Sequence, residues 1–346
     1  MRGKRWPNVL AGAICLVLAV AVPGGVLLSE AVGRQGQART SVERSGRTGG
    51  SLPMTEHLDL PRSAPDLEFD LEAPSVTPGE ISAAAAVLVD GNTGEILFAR
   101  NPDEPRPPAS VTKILTAMVI LERGRLGDTV TVSPRAAQVG GFQLGLRRGQ
   151  RISLRDLLSA LLVMSANDAA VAAAEHVGGS VWGFAGMMNA TARRLGMTQS
   201  RFSNPHGLHQ PEHYTTALDL ARLTRVALEQ PTFARLVRSR EATITIWKPG
   251  RRGLVPQARV IRNHNRLLGR VEGADGVKTG YTDAAGRCLV ASASRGPQRM
   301  IAVLLNDPRR WSDATALLEF GFEAAATRAQ EHRAPGRMSW PEAARG

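Results

Sequence analysis

The stretch "PPASVTKILTAMVILERG", residues 107–124, decides how the rest of the chain is interpreted. Two prolines interrupt what precedes it, and apolar residues then recur at helical spacing, which predicts a buried helix. Ser110 stands where a helix N-cap belongs, and Lys113 follows on the same face one turn later. Ser110 is therefore an ordinary cap, a nucleophile with Lys113 as its base, or both.

The segments around this helix predict an α+β domain. Two strand-like runs flank a hairpin signal at Asp90–Gly94, "DGNTG". A block of helices follows the Ser110 helix to about residue 242, and a last helix is predicted in "SDATALLEFGFEAAATRA". Between them lie the strand patterns "ATITIW", "GVKTGYT", "GRCLVASAS" and "RMIAVLLN". Strands before and after a helical block predict a sheet that contains chain from both ends.

The N-terminal part has the pattern of an export signal, since basic residues precede an apolar run. Residues 1–31 are predicted to be a signal peptide or an N-terminal membrane anchor, and cleavage is left open. Residues 32–80, rich in Gly, Ser, Arg and Pro, predict a flexible spacer. Residues 81–327 form the predicted folded domain, and 328–346 a polar tail. We therefore expect an exported protein that acts outside the cytoplasmic membrane.

Composition limits the function classes. The 346 residues are 43% hydrophobic, which is ample for one sizeable domain. The formal net charge is +12. The arginines are scattered and no RNA-binding signature accompanies them, so the charge indicates anionic surroundings but no nucleic-acid partner. The two cysteines are Cys15, in the apolar run, and Cys288, in a predicted strand. They indicate neither a disulfide framework nor a zinc site.

Two further clusters carry candidate chemistry. Ser165 and Asn167 lie in "MSAND", at a predicted break between apolar helices, where a hydroxyl can relay a proton and an amide can hold a carbonyl. Lys278, Thr279 and Gly280 lie on the predicted strand "GVKTGYT". The lysine and threonine can meet a carboxylate, and the glycine lets an extended ligand approach the strand. Each cluster alone is as common in turns and strand ends.

In combination the clusters are informative. S-x-x-K, S-x-N and K-T-G in this order, on a helix, a bend and a strand, are the set of the penicillin-recognising serine enzymes. The blocks "PASVTKILTAMVILE", "LLVMSANDAAVAAAEHV", "LGMTQSRFSNPHGL" and "HYTTALDLARL" resemble the D-alanyl-D-alanine carboxypeptidases, which are low-molecular-mass penicillin-binding proteins. The resemblance covers about residues 81–322. It implies the DD-peptidase/β-lactamase-like transpeptidase fold, an antiparallel sheet flanked by helices with a helical subdomain.

The resemblance also implies a reaction. It is removal of the terminal D-Ala from peptidoglycan pentapeptides through an acyl-serine intermediate. Ser110 would be the nucleophile and Lys113 its base, while Ser165 relays the proton to the leaving amine and Asn167 positions the substrate. The oxyanion hole would use the backbone N–H groups of Ser110 and Tyr281.

The same resemblance assigns the residues that hold the substrate carboxylate. Lys278 and Thr279 would face it, beside Gly280 at the strand edge. The family places an arginine nearby, for which Arg310 in "NDPRRWSD" is the candidate and Arg309 its alternative. The expected partners are the peptidoglycan stem peptide and β-lactam antibiotics, which act as covalent inhibitors. The mechanism needs no metal or organic cofactor, and histidines such as those in "NPHGLHQPEHYTT" are interpreted as structural or surface residues.

Three alternatives stay open at this point. A class A β-lactamase needs a Glu beyond S-x-N, yet no Asp or Glu occurs between Glu175 and Glu212. This absence favours slow hydrolysis of a penicillin adduct. A DD-endopeptidase would use the same chemistry on cross-links. A non-enzymatic peptidoglycan-binding scaffold would need neither Lys113 nor Ser165, so the intact motifs argue against it.

Overall fold

The structure is a computed structural model that describes residues 80–333. The predicted signal or anchor, the spacer up to residue 79 and the tail after residue 333 lie outside the described residues. In chain order the strands are β1 (Ala85–Asp90), β2 (Ile96–Arg100), β3 (Thr129–Thr131), β4 (Arg151–Ser153), β5 (Glu241–Gly250), β6 (Gly253–Arg262), β7 (Ala274–Thr282), β8 (Gly286–Arg295) and β9 (Gln298–Leu305). The helices are α1 (Lys113–Arg123), α2 (Pro134–Gln138), α3 (Leu154–Ser159), α4 (Asn167–Gly178), α5 (Val181–Arg194), α6 (Ala217–Leu228), α7 (Pro231–Arg238) and α8 (Arg310–Arg333).

The main sheet is antiparallel and has the strand order β2-β1-β9-β8-β7. It joins the first two strands to the last three, so the prediction of a sheet with chain from both ends is confirmed, as is the β1–β2 hairpin. Both faces of this sheet are buried, because alternate residues of its strands point to opposite sides. Val87, Val290 and Val303 pack among the helical block, whereas their neighbours, such as Leu88 and Leu304, pack against α8. Each such side chain contributes about 1.5–3 kcal/mol on burial.

A second, smaller sheet has the order β3-β4-β5-β6. The sequence analysis placed its strand "ATITIW" among those of one sheet and did not anticipate this separation. Strands β3 and β4 have three residues each, too few for a visible alternation. Strand β6 carries Pro256 and exposes most of its residues, so it lacks the pattern of a half-buried strand. Ile244, Ile246 and Ile261 face the core from this sheet.

The helical block confirms the predicted break at "MSAND". After α3 the chain makes a π-helical turn over Ala160–Met164, and Ser165 then adopts a left-handed conformation with φ 67°. Helix α4 begins two residues later, at Asn167. The last helix, α8, starts at Arg310 and continues to Arg333, past the predicted beginning of the tail. Within residues 80–333, none of the helices is both long and apolar enough to cross a membrane.

The prediction that Ser110 caps a helix is wrong. Ser110 lies inside a 3-10 turn, Ala109–Thr112, that leads directly into α1, and neither Pro108 before the turn nor Thr112 before α1 makes a side-chain cap bond. A capping residue needs an extended backbone, whereas the backbone of Ser110 is already helical. Its hydroxyl is therefore left available for other partners. The predicted Thr cap of α6 is confirmed, since the Thr216 side chain accepts from the N–H of Asp219.

Asp168, at the start of α4, holds the adjacent loop in place. Its carboxylate is 1% exposed, and its two oxygens accept from the N–H groups of Leu144 and Leu146, each at 2.9 Å. The same loop places the carbonyl of Phe142 to accept from the N–H of Asn167 at 2.8 Å. A buried carboxylate is tolerated here because backbone donors replace its hydration.

We expect Asp168→Asn to lower the free energy of unfolding by about 1.5–3 kcal/mol, because the new NH₂ group would face a backbone N–H in place of an accepting oxygen. Urea unfolding measures the change. The matched control is Asp283→Asn at an exposed site, expected to change stability by less than about 0.5 kcal/mol. Equal effects of the two substitutions would show that the buried carboxylate does not hold the loop.

Candidate active site

The turn that carries Ser110 is held by close backbone contacts. Ala109, directly before it, has a left-handed backbone with φ 49°, which is costly for a residue with a side chain. Gly207 packs on the carbonyl group of Ala109 so closely that a Cβ on Gly207 would overlap it. On another side, a Cβ on Gly280 would lie 3.0 Å from the backbone nitrogen of Ser110. Two glycines thus allow the chain to enclose the Ser110 turn.

Lys113, the first residue of α1, is completely buried beside this turn. Its Nζ lies 2.9 Å from the Oγ of Ser110, 2.7 Å from the Oδ1 of Asn167 and 2.7 Å from the carbonyl oxygen of His206. The sequence-predicted pair Ser110–Lys113 is thus in direct contact, and Asn167 joins it from α4. The third oxygen comes from a backbone group, which no side-chain pattern predicts.

Burial lowers the pKa of Lys113 well below its usual value, and the positive charge of Lys278 lowers it further. The carboxylate of Asp168 acts in the opposite direction but does not compensate. A neutral amine has two N–H donors and one lone pair. Asn167 Oδ1 and the His206 carbonyl can only accept, so they take the two donors. The lone pair then faces the hydroxyl of Ser110 and can take its proton.

Ser165 and Asn167 lie at the end of the π-helical turn and the beginning of α4. Besides its contact with Lys113, Asn167 donates from Nδ2 to the carbonyl of Gly140 at 2.8 Å, which fixes the orientation of its amide. Ser165 is 7% exposed, and within residues 80–333 its hydroxyl has no hydrogen-bond partner. That hydroxyl is therefore free to bind a ligand or relay a proton.

Lys278 and Arg310 bring positive charge to strand β7. Lys278 is 3% exposed, and its pKa is lowered to about 7 by burial and by the charge of Arg310. Arg310 donates from Nη1 to the carbonyl of Gly280 at 2.8 Å. Burial also lowers the pKa of Arg310 to about 10, which leaves it charged at neutral pH. Arg309 instead contacts the carbonyl of Glu80 and so points away from β7.

Three remaining predicted residues lie on the same strand. Thr279 is 8% exposed and precedes Gly280 on β7. The sequence pattern indicates that Gly280 admits a ligand to the strand, but the structure gives another reason for a glycine, because its α-carbon faces the backbone of Pro108–Ser110. The Tyr281 side chain is 60% exposed and donates to Asp283 at 2.9 Å, so it lies away from Lys113. Its backbone follows Gly280 and therefore lies beside the Ser110 turn.

The residues that support the Ser110 turn on the side of Thr112 carry no signal in the sequence. His213 is 1% exposed, and its Nδ1 accepts from the N–H of Ser203 at 3.1 Å. Its proton therefore lies on Nε2, which donates to the Thr112 hydroxyl at 2.8 Å, and Thr112 donates in turn to the carbonyl of Ala109 at 2.8 Å. Burial lowers the pKa of His213 to about 4, which keeps the ring neutral at neutral pH. The prediction of structural histidines holds for His213.

His206 contacts Lys113 through its carbonyl oxygen, while its ring Nδ1 accepts from the N–H of Leu208 at 3.1 Å. The segment that contains it is tied to α1, because the Thr116 hydroxyl donates to the carbonyl of Pro205 at 2.7 Å. The block "SRFSNPHGL" was visible in the sequence, but a carbonyl contact can be provided by any residue type. Among the described residues, no group of three His, Cys, Asp or Glu side chains is placed to hold a metal ion.

The fold and the site define a class of α+β domains in which a buried lysine contacts a serine at the start of a helix, and comparison with known proteins identifies the family. The profile of the peptidase S11 family, described as D-alanyl-D-alanine carboxypeptidase, matches residues 72–309. The chain therefore belongs to the D-alanyl-D-alanine carboxypeptidase family.

Individual relatives agree with this assignment. The chain is 36% identical over 253 residues to D-alanyl-D-alanine carboxypeptidase DacF of Bacillus subtilis, a match that covers 71% of this chain and 63% of that protein. The chain thus spans a little under two thirds of that curated relative. The DD-transpeptidase of Streptomyces K15 has a TM-score of 0.67 and 31% identity, covering 72% of this chain and 100% of that structure. Penicillin-binding protein D2 of Listeria monocytogenes, solved in its ampicillin-bound form, has a TM-score of 0.60 and 30% identity. This match covers 70% of this chain and 98% of that structure.

We expect Gly207→Ala to destabilise the domain more than Gly145→Ala. Both glycines have positive φ, 88° and 79°, so each substitution costs about 1–2 kcal/mol in backbone strain. Nothing lies within 4 Å of a Cβ at Gly145, whereas a Cβ at Gly207 overlaps Ala109 and adds about 1–3 kcal/mol of overpacking. Urea unfolding of the two variants tests this. If they are equally stable, the contact between Gly207 and Ala109 is not tight.

Proposed function

We propose that this chain is a serine D-alanyl-D-alanine carboxypeptidase that removes the terminal D-Ala from peptidoglycan pentapeptides through an acyl-serine intermediate. The observation that carries the proposal is the amine of Lys113, fully buried and 2.9 Å from the hydroxyl of Ser110. A neutral lysine in this position can serve as a general base, and a purely structural lysine would not need to be desolvated beside a serine.

Acylation begins with the attack of Ser110 Oγ on the carbonyl carbon of the scissile D-Ala–D-Ala bond. The lone pair of Lys113 accepts the Ser110 proton as the new bond forms. The oxyanion that develops is bound by the N–H groups of Ser110 and Tyr281, an assignment supported by the close approach of Gly280 to the backbone nitrogen of Ser110. This assignment of the oxyanion hole is part of the proposal.

The leaving D-Ala needs a proton on its amine. Ser165 is suited to this task because its hydroxyl is unbonded and lies two residues before Asn167, which contacts Lys113. We infer that the proton passes from the Lys113 ammonium through Ser165 to the amine. Asn167 holds the substrate through its amide while keeping the Lys113 amine in place.

The substrate carboxylate is bound on β7. Lys278 in its protonated form and the hydroxyl of Thr279 supply the contacts, and Arg310 contributes its charge from behind the strand. Recognition of a free carboxylate restricts cleavage to the last residue of the stem peptide, as a carboxypeptidase requires. Such a substrate lies outside the cytoplasmic membrane, in agreement with the export signal predicted for residues 1–31.

A DD-transpeptidase is a second candidate, favoured by the similarity to the Streptomyces K15 enzyme. The acyl-enzyme is the same, but an amine of a second stem peptide replaces water as its acceptor. Mass analysis of products formed with an added amino acid amide distinguishes the two activities. Release of free acid despite the amine supports the carboxypeptidase, and predominant aminolysis supports the transpeptidase.

We expect benzylpenicillin to form a long-lived adduct on Ser110, detected as a mass increase of the intact protein, and Ser110→Ala to abolish the adduct. Ser312→Ala, which removes an exposed hydroxyl elsewhere, is the matched control and should be acylated like the wild type. Rapid loss of the adduct with consumption of penicillin would indicate a β-lactamase. Absence of any adduct would contradict the assignment of the nucleophile.

The rate of acylation by benzylpenicillin, which carries a carboxylate, should fall as the pH is raised through about 7. Lys278 is protonated below its lowered pKa of about 7 and loses the charge that binds the carboxylate above it. Because Arg310 is one cause of the lowered pKa, Arg310→Gln should move this alkaline limb to higher pH while reducing the rate. Arg309→Gln alters a side chain directed away from β7, so it should leave the rate of acylation and the position of the alkaline limb unchanged. An identical limb in the wild type and Arg310→Gln would refute the coupling.

A further inference from the structure

The β5–β6 hairpin has an exposed, uncharged outer face. Its two strands pair without interruption from Glu241↔Arg262 to Gly250↔Gly253, and residues directly opposite each other lie on the same face. One face buries Ile244 and Ile246. The opposite face carries four successive cross-strand pairs without a charge, Thr243↔Val260, Thr245↔Ala258, Trp247↔Pro256 and Pro249↔Leu254.

The apolar side chains of this face are in solvent. Val260 is 59% exposed, Trp247 40% and Leu254 39%. Strand β4 pairs with β5 only at Ile246 and Trp247, and β6 lies at the edge of its sheet. The end of the hairpin therefore projects beyond its neighbours. Exposed apolar surface of this extent indicates a contact with another molecule or a membrane.

Positive charge surrounds the apolar face. Arg251 and Arg252 form the hairpin turn, and Lys248 lies on β5 close to it. None of the three forms an ion pair with a residue in 80–333. Arg151 lies across from Trp247 on β4, and Arg262 at the far end lies opposite the carboxylate of Glu241. The neighbouring loop adds the exposed Arg147 and Arg148.

We propose that the β5–β6 hairpin docks on an anionic lipid membrane. A bilayer surface offers negative headgroups to the arginines and an apolar layer to Trp247 and Leu254, and tryptophan is favoured at this boundary. A second copy of this chain would bring two sets of the same cations together, which opposes a symmetric dimer through this face. The proposal does not rest on the proposed enzymatic function.

The first test measures partition of the full chain into vesicles of equimolar phosphatidylglycerol and phosphatidylcholine. The variants are Lys248→Gln/Arg251→Gln/Arg252→Gln and Trp247→Ser/Leu254→Ser, and the control is Trp182→Ser, which removes an 86% exposed tryptophan on α5. Each hairpin variant should weaken partition by at least about tenfold, with the control unchanged. The partition of the triple variant should also depend much less on salt concentration than that of the wild type.

A second readout reports on the hairpin itself, because the apolar run at the N-terminus is present in every variant. Brominated phosphatidylglycerol quenches tryptophans that enter the bilayer. The fluorescence lost on changing Trp247→Phe should be the quenched component. The same component should not be quenched by vesicles of brominated phosphatidylcholine alone, which carry no net charge. An unquenched Trp247 overturns the proposal even where the chain binds the vesicles.

Two other outcomes also overturn the proposal. One is equal partition of the wild type and both hairpin variants. The other is a dimer, found by sedimentation without lipid, that Trp247→Ser/Leu254→Ser dissociates, since the face then binds a second copy. A cooperative urea transition, followed by far-ultraviolet circular dichroism, serves as the check that each variant is folded. If the apolar double variant is not folded, the triple variant, which changes only polar side chains in and near the hairpin turn, decides the test.

Discussion

The burial of the Lys113 amine is the constraint on which the rest of the site depends. An isolated ammonium is expensive to bury, so the group must be neutral or surrounded by oxygens. Here burial and the charge of Lys278 lower the pKa of the amine, and three oxygens contact the nitrogen. These oxygens come from the Ser110 turn, the start of α4 and the segment at His206. A single desolvated amine therefore requires distant parts of the chain to converge.

That convergence explains the backbone features around the site. Segments can approach Lys113 this closely only where side chains are absent, as at Gly207 and Gly280. The left-handed Ala109 is the conformational cost of directing Ser110 toward Lys113, and the hydrogen bonds from His213 through Thr112 hold that strained residue in place. The geometry of the reacting pair is thus maintained by groups that never touch a substrate.

The sequence predicted the side-chain chemistry of the site better than its geometry. The motifs containing Ser110, Ser165 and Lys278 fall on a helical turn, a bend and a strand as expected, because periodicity and turn residues determine local structure. The contribution of His206 was not predictable, since it is made by a carbonyl that every residue possesses. Arg309 and Arg310 could not be separated either, because only the packing of α8 on the sheet decides which one reaches Gly280.

The second sheet was missed for a related reason. Its strands β3 and β4 are short, and β5 and β6 present apolar residues on the face away from the core as well as toward it. Alternation is a reliable signal only where one face is polar, and Trp247 and Val260 remove that contrast. The same exposed apolar residues that remove the alternation from the sequence suggest a binding surface in the structure.

The placement of carboxylates bears on how long an acyl-enzyme would persist. Asp168 is close enough to act on the pKa of Lys113, yet it is 1% exposed and its two oxygens are occupied by the N–H groups of Leu144 and Leu146. To bind a water molecule for attack on an ester, Asp168 would have to release hydrogen bonds to the loop that positions Asn167. Activation of water in the proposed mechanism then falls to Lys113, the same base that serves acylation. A ligand whose bound fragment stays over Lys113 would block that role, so the proposed mechanism predicts slow release of a β-lactam alongside turnover of a peptide.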